Sequence, residues 1–149
     1  MEILNEMTLS VKSLSVSEGF VRSAVAAFCV ELNPTMDEIT DIKTAVSEAI
    51  TNCVVHAYPS EIGDILIKVK LYKNQVDIQI TDYGKGIENI EQAKEPFYTT
   101  KPEQERSGMG FTVMESFMDS LSVEQNRGKG ITVRMTKNIG GEQQKIIGA

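Results

Sequence analysis

The sequence predicts an α+β fold: a mixed, mostly antiparallel sheet with three helices packed on one face. Three observations carry that reading. Residues 64–72 and 76–80 place apolar side chains at alternate positions on either side of a short polar turn, as a β-hairpin does. Residues 36–57 keep apolar side chains at helical spacing. A polar, basic-tipped loop from Thr99 runs through Gly108 and Gly110 into a third periodic segment, marked by Phe111, Met114, Phe117, Met118 and Leu121.

Along the chain, Leu9 and Val11, with Leu14, alternate as one face of a first strand. Ser15 or Ser17 is placed to cap a helix reaching about Leu32, with Phe20, Val21, Ala24, Ala27 and Phe28 expected on its buried side. Asn33-Pro34-Thr35 punctuates. Asp37 and Glu38 then fall in the first turn of a second helix, where they complement its dipole. Met36, Ile39, Ile42, Val46, Ala49, Ile50, Cys53 and Val54 form its apolar side, and Tyr58-Pro59-Ser60 ends it. The hairpin strands carry Ile65, Ile67, Val69 and Leu71, then Val76, Ile78 and Ile80, joined by Lys73-Asn74-Gln75. Asp82-Tyr83-Gly84-Lys85-Gly86 closes the second of them. A long connection follows, with a weak helical piece near Ile90–Ala93; a loop of that length inside a domain is usually a functional lid. Leu121–Glu124 and Ile131–Thr136 read as a final pair of strands around a glycine-rich turn. The tail from about residue 140 is polar, and residues 1–149 read as one domain.

Composition narrows the function. A net charge of −6 with no basic stripe argues against a nucleic-acid binder. Cys29 and Cys53 form no CxxC pair, and His56 is the only histidine, which argues against a zinc site and fits a reducing compartment. The first residues lack a signal peptide's cationic start and apolar core, and the longest apolar run, Ala24 to Val30, is too short to cross a bilayer. The expectation is a cytoplasmic protein without a membrane segment.

The chemistry concentrates in three places. Glu48 and Asn52, four residues apart, project from one helix face, and His56 continues their row. Most such rows are solvated polar stripes. On a helix buried around most of its circumference, however, a carboxylate can serve as a general base, and an amide oxygen can hold Mg²⁺ alongside phosphates and water. Asp82 precedes Gly84-x-Gly86 at a strand end. That is a common turn, or else a carboxylate that accepts from an exocyclic amine while the glycines let a flat base approach the backbone. Ser107, as an N-cap, with Gly108 and Gly110 would present free N–H groups to phosphate, and Lys101 and Arg106 add two cations. No third glycine at dinucleotide-fold spacing and no GxxxxGK[ST] loop is present, so the two best-known nucleotide folds are excluded.

The order Glu48-(x)₃-Asn52, Asp82-x-Gly84-x-Gly86, a lid, Gly108-x-Gly110 and a glycine-rich final hairpin resembles the GHKL ATPase/kinase superfamily. Ser47-Glu48-Ala49-Ile50-Thr51-Asn52 and Pro96-Phe97-Tyr98-Thr99-Thr100-Lys101-Pro102 through Arg106-Ser107-Gly108-Met109-Gly110-Phe111 resemble, within it, the anti-sigma kinases of spore-forming bacteria. The resemblance spans nearly the whole chain. It implies a Bergerat-type two-layer α/β sandwich and an ATP- and Mg²⁺-dependent protein-serine kinase. Such a kinase phosphorylates an anti-anti-sigma protein, binds and inhibits a sporulation sigma factor, and forms a homodimer. On that resemblance, Glu48 is the base and Asn52 the Mg²⁺ ligand. Asp82 accepts from adenine N6, with Gly84 and Gly86 shaping the base pocket. Thr100 joins the nucleotide-binding set, and Lys101 and Arg106 neutralise the γ-phosphate. Ser107, Gly108, Met109, Gly110 and Phe111 donate backbone N–H groups to the phosphates, and closure of the 87–107 lid excludes water. Arg22 is the expected partner contact.

One position departs from the family pattern. Gly130 is followed by Ile131 where the family usually has threonine, and Thr132 comes one residue later. Adjacent strand residues face opposite sides, so either Thr132 reaches the adenine through a local bulge or a bridging water, or this contact is missing. Two other readings are a nucleotide-gated sigma-binding module without kinase activity and the related stress-response anti-sigma kinase. The presence of Glu48 favours an enzyme over the binding module.

Overall fold

Lys73 and Asn74 form a two-residue turn that fixes the register of the central hairpin, β2 (Asp64–Tyr72) against β3 (Gln75–Asp82). The turn is one residue shorter than the sequence suggested, because Gln75 already pairs with Tyr72. The computed structural model describes residues 2–85, 110–126 and 129–140. In chain order the other elements are β1 (Asn5–Lys12), α1 (Ser15–Cys29), α2 (Met36–Asn52), α3 (Gly110–Phe117), β4 (Ser120–Gln125) and β5 (Ile131–Asn138). The weak helical piece expected near Ile90–Ala93 and the tail beyond Gly140 lie outside the described residues.

The five strands lie in the order β1-β2-β3-β5-β4, and every pairing among the described residues is antiparallel. Strand alternation sends Ile65, Ile67, Val69 and Leu71 of β2, Val76, Ile78 and Ile80 of β3, and Val133 and Met135 of β5 to one face, all buried. Ile67, Ile80 and Val133 form one continuous row across three strands. Each fully buried side chain of this size contributes about 1.5–3 kcal/mol of hydrophobic transfer energy. The opposite face is polar. There Arg134 covers the buried Asp77 through two bonds, Nε to Oδ1 at 3.2 Å and Nη2 to Oδ2 at 2.6 Å.

The helices lie over the apolar face, and α2 packs against both α1 and α3. Its start is a complete capping box. Glu38 N donates to Thr35 Oγ1 at 3.0 Å, and Thr35 N donates to Glu38 Oε1 at 2.8 Å. Ile42, Ala45, Val46, Ala49 and Ile50 are its buried residues, whereas Met36, expected in the apolar row, is 80 % exposed.

α1 differs from expectation in its cap and in its phase. Leu14 holds the N-cap position with no side-chain cap bond, and Ser17 instead donates from Oγ to Lys12 O at 2.6 Å. The buried face is Val21, Val25 and Cys29 with Ser17, while Phe20 and Ala27 are exposed. Ala24 through Cys29 is unbroken apolar sequence, so spacing alone does not set which side faces inward. Packing against α2 decides it. The helix ends at Cys29 in a 3-10 turn, Val30–Leu32, which closes on Asn33 in the left-handed region at φ 52°.

Candidate active site

Asp82 ends β3 on the apolar face and is 2 % exposed. A carboxylate so placed must be hydrogen-bonded. Its Oδ1 accepts from Gly84 N at 3.0 Å and Ile131 N at 3.3 Å, and the Cys53 thiol lies 3.9 Å from Oδ2. Among the described residues, one oxygen is therefore held by two backbone donors, while the other has only a weak thiol contact. Burial raises the Asp82 pKa, and the two N–H groups and the thiol oppose that rise.

The wall opposite Asp82 is the end of the second helix. After Asn52 the helix widens into one π turn, Cys53–Ala57, closed by Tyr58 N donating to Cys53 O at 3.2 Å. The chain after Asp82 is moulded to this turn. Lys85 N donates to Ala57 O at 3.2 Å, and a Cβ on Gly84 would overlap the Ala57 carbonyl, so only glycine fits there. Tyr58 adds a further tie. Its hydroxyl accepts from Tyr83 N at 2.6 Å and donates to Asp64 O at 2.8 Å, with its ring lying over Gly63.

The final hairpin supplies the remaining wall. Gly130 has φ +92°, and a Cβ there would overlap the Asp82 carbonyl. Asn126 Nδ2 donates to that same carbonyl at 3.0 Å. Replacing Gly130 by alanine is expected to cost about 1–3 kcal/mol from backbone strain alone. A thermal melt would register it as a clear fall in Tm, and an unchanged Tm would show that the turn relaxes freely.

Thr132 does not join this site. It pairs with Thr81 in unbroken register, on the sheet face opposite Asp82. Its Oγ1 donates to Asn126 Oδ1 at 2.7 Å and lies 3.0 Å from Thr81 Oγ1. Without a bulge, strand alternation turns Ile131 and not Thr132 toward Asp82. The bulge that would carry Thr132 to this side is absent from the β3–β5 register, and it is the backbone N–H of Ile131 that reaches Asp82.

Glu48 and Asn52 are half-buried on α2, and Asn52 immediately precedes Cys53, whose thiol meets Asp82. Gly110 and Phe111 are buried at the start of α3, which packs on α2. Arg22 of α1 reaches across to α2. Its Nη1 lies 3.0 Å from Glu18 Oε1 and 3.4 Å from Ser47 Oγ, the residue before Glu48. Gly86, Thr100, Lys101, Arg106, Ser107, Gly108 and Met109, with the expected lid, lie outside the described residues.

Residues 13–137 match the family model described as histidine kinase-like ATPase domain. An anti-sigma F factor of Thermoanaerobacter sp. (strain X514) is 54 % identical over 143 residues, covering 96 % of this chain and all of that one. One from Caldanaerobacter subterraneus subsp. tengcongensis is 55 % identical over 140 residues, covering 94 % of this chain and 98 % of that one. One from Clostridium botulinum (strain Eklund 17B / Type B) is 56 % identical over 134 residues, covering 89 % and 94 %.

This chain belongs to the anti-sigma F factor family.

The fold has a solved counterpart in the crystal structure of the RsbU and RsbW domains of Rv1364c from Mycobacterium tuberculosis. The TM-score is 0.66 at 17 % identity, over 91 % of this chain and 32 % of that one. Together with the family model, this establishes the histidine kinase-like ATPase architecture expected from the motif order. An anti-sigma F factor built on that domain is an ATP-binding protein. Among the described residues, no helix is long and apolar enough to cross a membrane. The motif reading missed Tyr58, Asn126 and Ile131, all of which touch Asp82 or the residue after it. Tyr58 read only as a helix end, and a backbone N–H such as that of Ile131 carries no residue-type signal at all.

Proposed function

We propose that this member of the anti-sigma F factor family is a protein-serine kinase that transfers the γ-phosphate of ATP to a serine of an anti-anti-sigma protein. We further propose that it binds and inhibits a sporulation sigma factor. The observation that carries the site assignment is Asp82: a buried carboxylate with Oδ1 held by two N–H groups and, among the described residues, Oδ2 in contact only with a thiol. That arrangement suits acceptance of one further hydrogen bond, from the amine of adenine. Gly84 and Gly130 keep side chains out of the same neighbourhood.

Phosphoryl transfer asks the protein mainly for positioning and charge stabilisation. Glu48, one helical turn before Asn52, takes the proton of the attacking serine hydroxyl. Among the described residues no cluster of three His, Cys, Asp or Glu side chains could hold a metal alone. The Asn52 amide oxygen is a hard donor that could share Mg²⁺ with phosphate and water oxygens, the mode common in kinases. When bound, the ion would neutralise charge on the phosphates. Lys101 and Arg106 add cationic charge at the γ-phosphate, and the backbone from Ser107 to Phe111 donates to the phosphate chain. Gly86 and Thr100 complete the nucleotide set.

Arg22 lies across from Ser47 with its side chain 40 % exposed, where a docked substrate protein would meet it beside Glu48. For the homodimer, support comes from an apolar stripe on α1 next to an edge strand. Val16 is 78 % exposed and Phe20 57 %, and among the described residues β1 pairs with β2 alone. Phe20→Glu is expected to convert the dimer to monomer in sedimentation. A dimer that survives this change would place the interface elsewhere.

The test of the whole reading is transfer of label from γ-labelled Mg-ATP to a co-expressed anti-anti-sigma protein. Label is expected on a partner serine. Tight ATP binding without transfer would replace the kinase with a nucleotide-gated sigma-binding module.

A further inference from the structure

The β2–β3 ladder stops at Asp82 for a reason that lies outside both strands. Ile65 faces Asp82 in the last pair of the ladder, and the same register continued by one residue would set Asp64 against Tyr83. Those two residues are joined instead through a side chain. Tyr83 N donates to the Tyr58 hydroxyl at 2.6 Å, and that hydroxyl donates to Asp64 O at 2.8 Å. One phenolic oxygen thus takes the place of a backbone-to-backbone bond. The strands are held apart by the width of an inserted oxygen, and both backbone groups stay satisfied.

The consequences reach Asp82 directly. Released from β2, the chain after Asp82 turns onto the π turn, where Lys85 N donates to Ala57 O at 3.2 Å. That path brings Gly84 N to 3.0 Å from Asp82 Oδ1. The wedge is itself fixed. Tyr58 is 6 % exposed, and its ring fills the space that a Cβ on Gly63 would need. Its backbone N–H closes the π turn on Cys53 O at 3.2 Å, so the hydroxyl is tied to the helix that carries Glu48 and Asn52.

We infer that Tyr58 is a positioning residue for adenine recognition: its hydroxyl ends the β2–β3 ladder at Asp82 and sets the carboxylate for the base. This rests on the reading of Asp82 as the acceptor of the adenine amine. Tyr58 touches neither phosphate nor substrate protein in this account, so its effect should be confined to recognition of the base.

The experiment compares two nucleotides on each protein: ATP, and purine riboside triphosphate, which has hydrogen in place of the 6-amino group. A hydrogen bond to the Asp82 carboxylate should make wild type prefer ATP by about 10- to 100-fold. Tyr58→Phe keeps the ring over Gly63 and removes only the hydroxyl. It should weaken ATP binding while leaving the analogue's affinity nearly unchanged, so that the preference falls at least about fivefold. A variant that keeps the wild-type preference, or that loses affinity for both nucleotides equally, would overturn the role of Tyr58 and leave Asp82 in place. No preference in wild type would take down the Asp82 assignment, and this inference with it. If Tyr58→Phe does not fold, Gly63→Ala displaces the same ring with the hydroxyl retained, and the same fall in preference is expected of it.

Discussion

Glu48→Gln should bind Mg-ATP with wild-type affinity and transfer phosphate about 10²–10⁴-fold more slowly, the usual loss when a general base is removed. Glutamine keeps the size and hydrogen-bonding reach of the side chain and loses only its basicity. Asn52, the proposed metal ligand one helical turn further on, is unchanged. Single-turnover transfer to the anti-anti-sigma protein, beside an equilibrium titration of nucleotide, separates the two effects. A variant with full residual rate removes Glu48 from the chemistry. Loss of ATP affinity in proportion to rate would recast it as a binding residue.

Asp82→Asn is expected to weaken ATP binding by about 1.5–3 kcal/mol, which is about 10- to 150-fold in Kd. The amide oxygen can still accept from Gly84 N and Ile131 N. The new NH₂, however, stands where Oδ2 was and meets the adenine amine donor to donor. Stability should move the other way. Burial raises the Asp82 pKa, so the folded protein resists ionising this group more than the unfolded chain does. For a carboxylate whose folded pKa lies above its unfolded value, stability is greatest below the unfolded value and is lost as pH rises through the folded one. Without nucleotide, the variant should therefore gain on wild type in Tm as pH is raised from the ordinary aspartate range toward neutrality. A Tm difference that stays constant with pH would show that the buried carboxylate imposes no electrostatic cost.

How much of this was legible in sequence differs from element to element. The β2–β3 hairpin was plain, because apolar residues recur at every second position from Ile65 to Leu71 and from Val76 to Ile80 on either side of a short polar turn. Asp37 and Glu38 marked the first turn of α2, and the structure adds the capping box that Glu38 closes with Thr35. The face of α1 was not legible, since the apolar run Ala24 to Cys29 is compatible with several phases. Its cap was misjudged as well. Ser17 was committed to Lys12 O, a choice fixed by how β1 hands the chain to the helix.

The site divides along the same line. Residue types at fixed spacing along one element were set by sequence: Glu48 with Asn52 on α2, Asp82 with Gly84 at a strand end, and the family to which that order belongs. Spacing within an element fixes direction because the backbone there is regular. Thr132 shows the limit of such reasoning, as only the actual register of β5 against β3 decided which face it took. The tertiary structure alone brought the Ile131 N–H, the Asn126 amide and the Tyr58 hydroxyl around Asp82 and the turn that follows it. Those contacts join segments that no local pattern relates, and a buried carboxylate takes its donors from whatever the packed chain places within hydrogen-bonding reach.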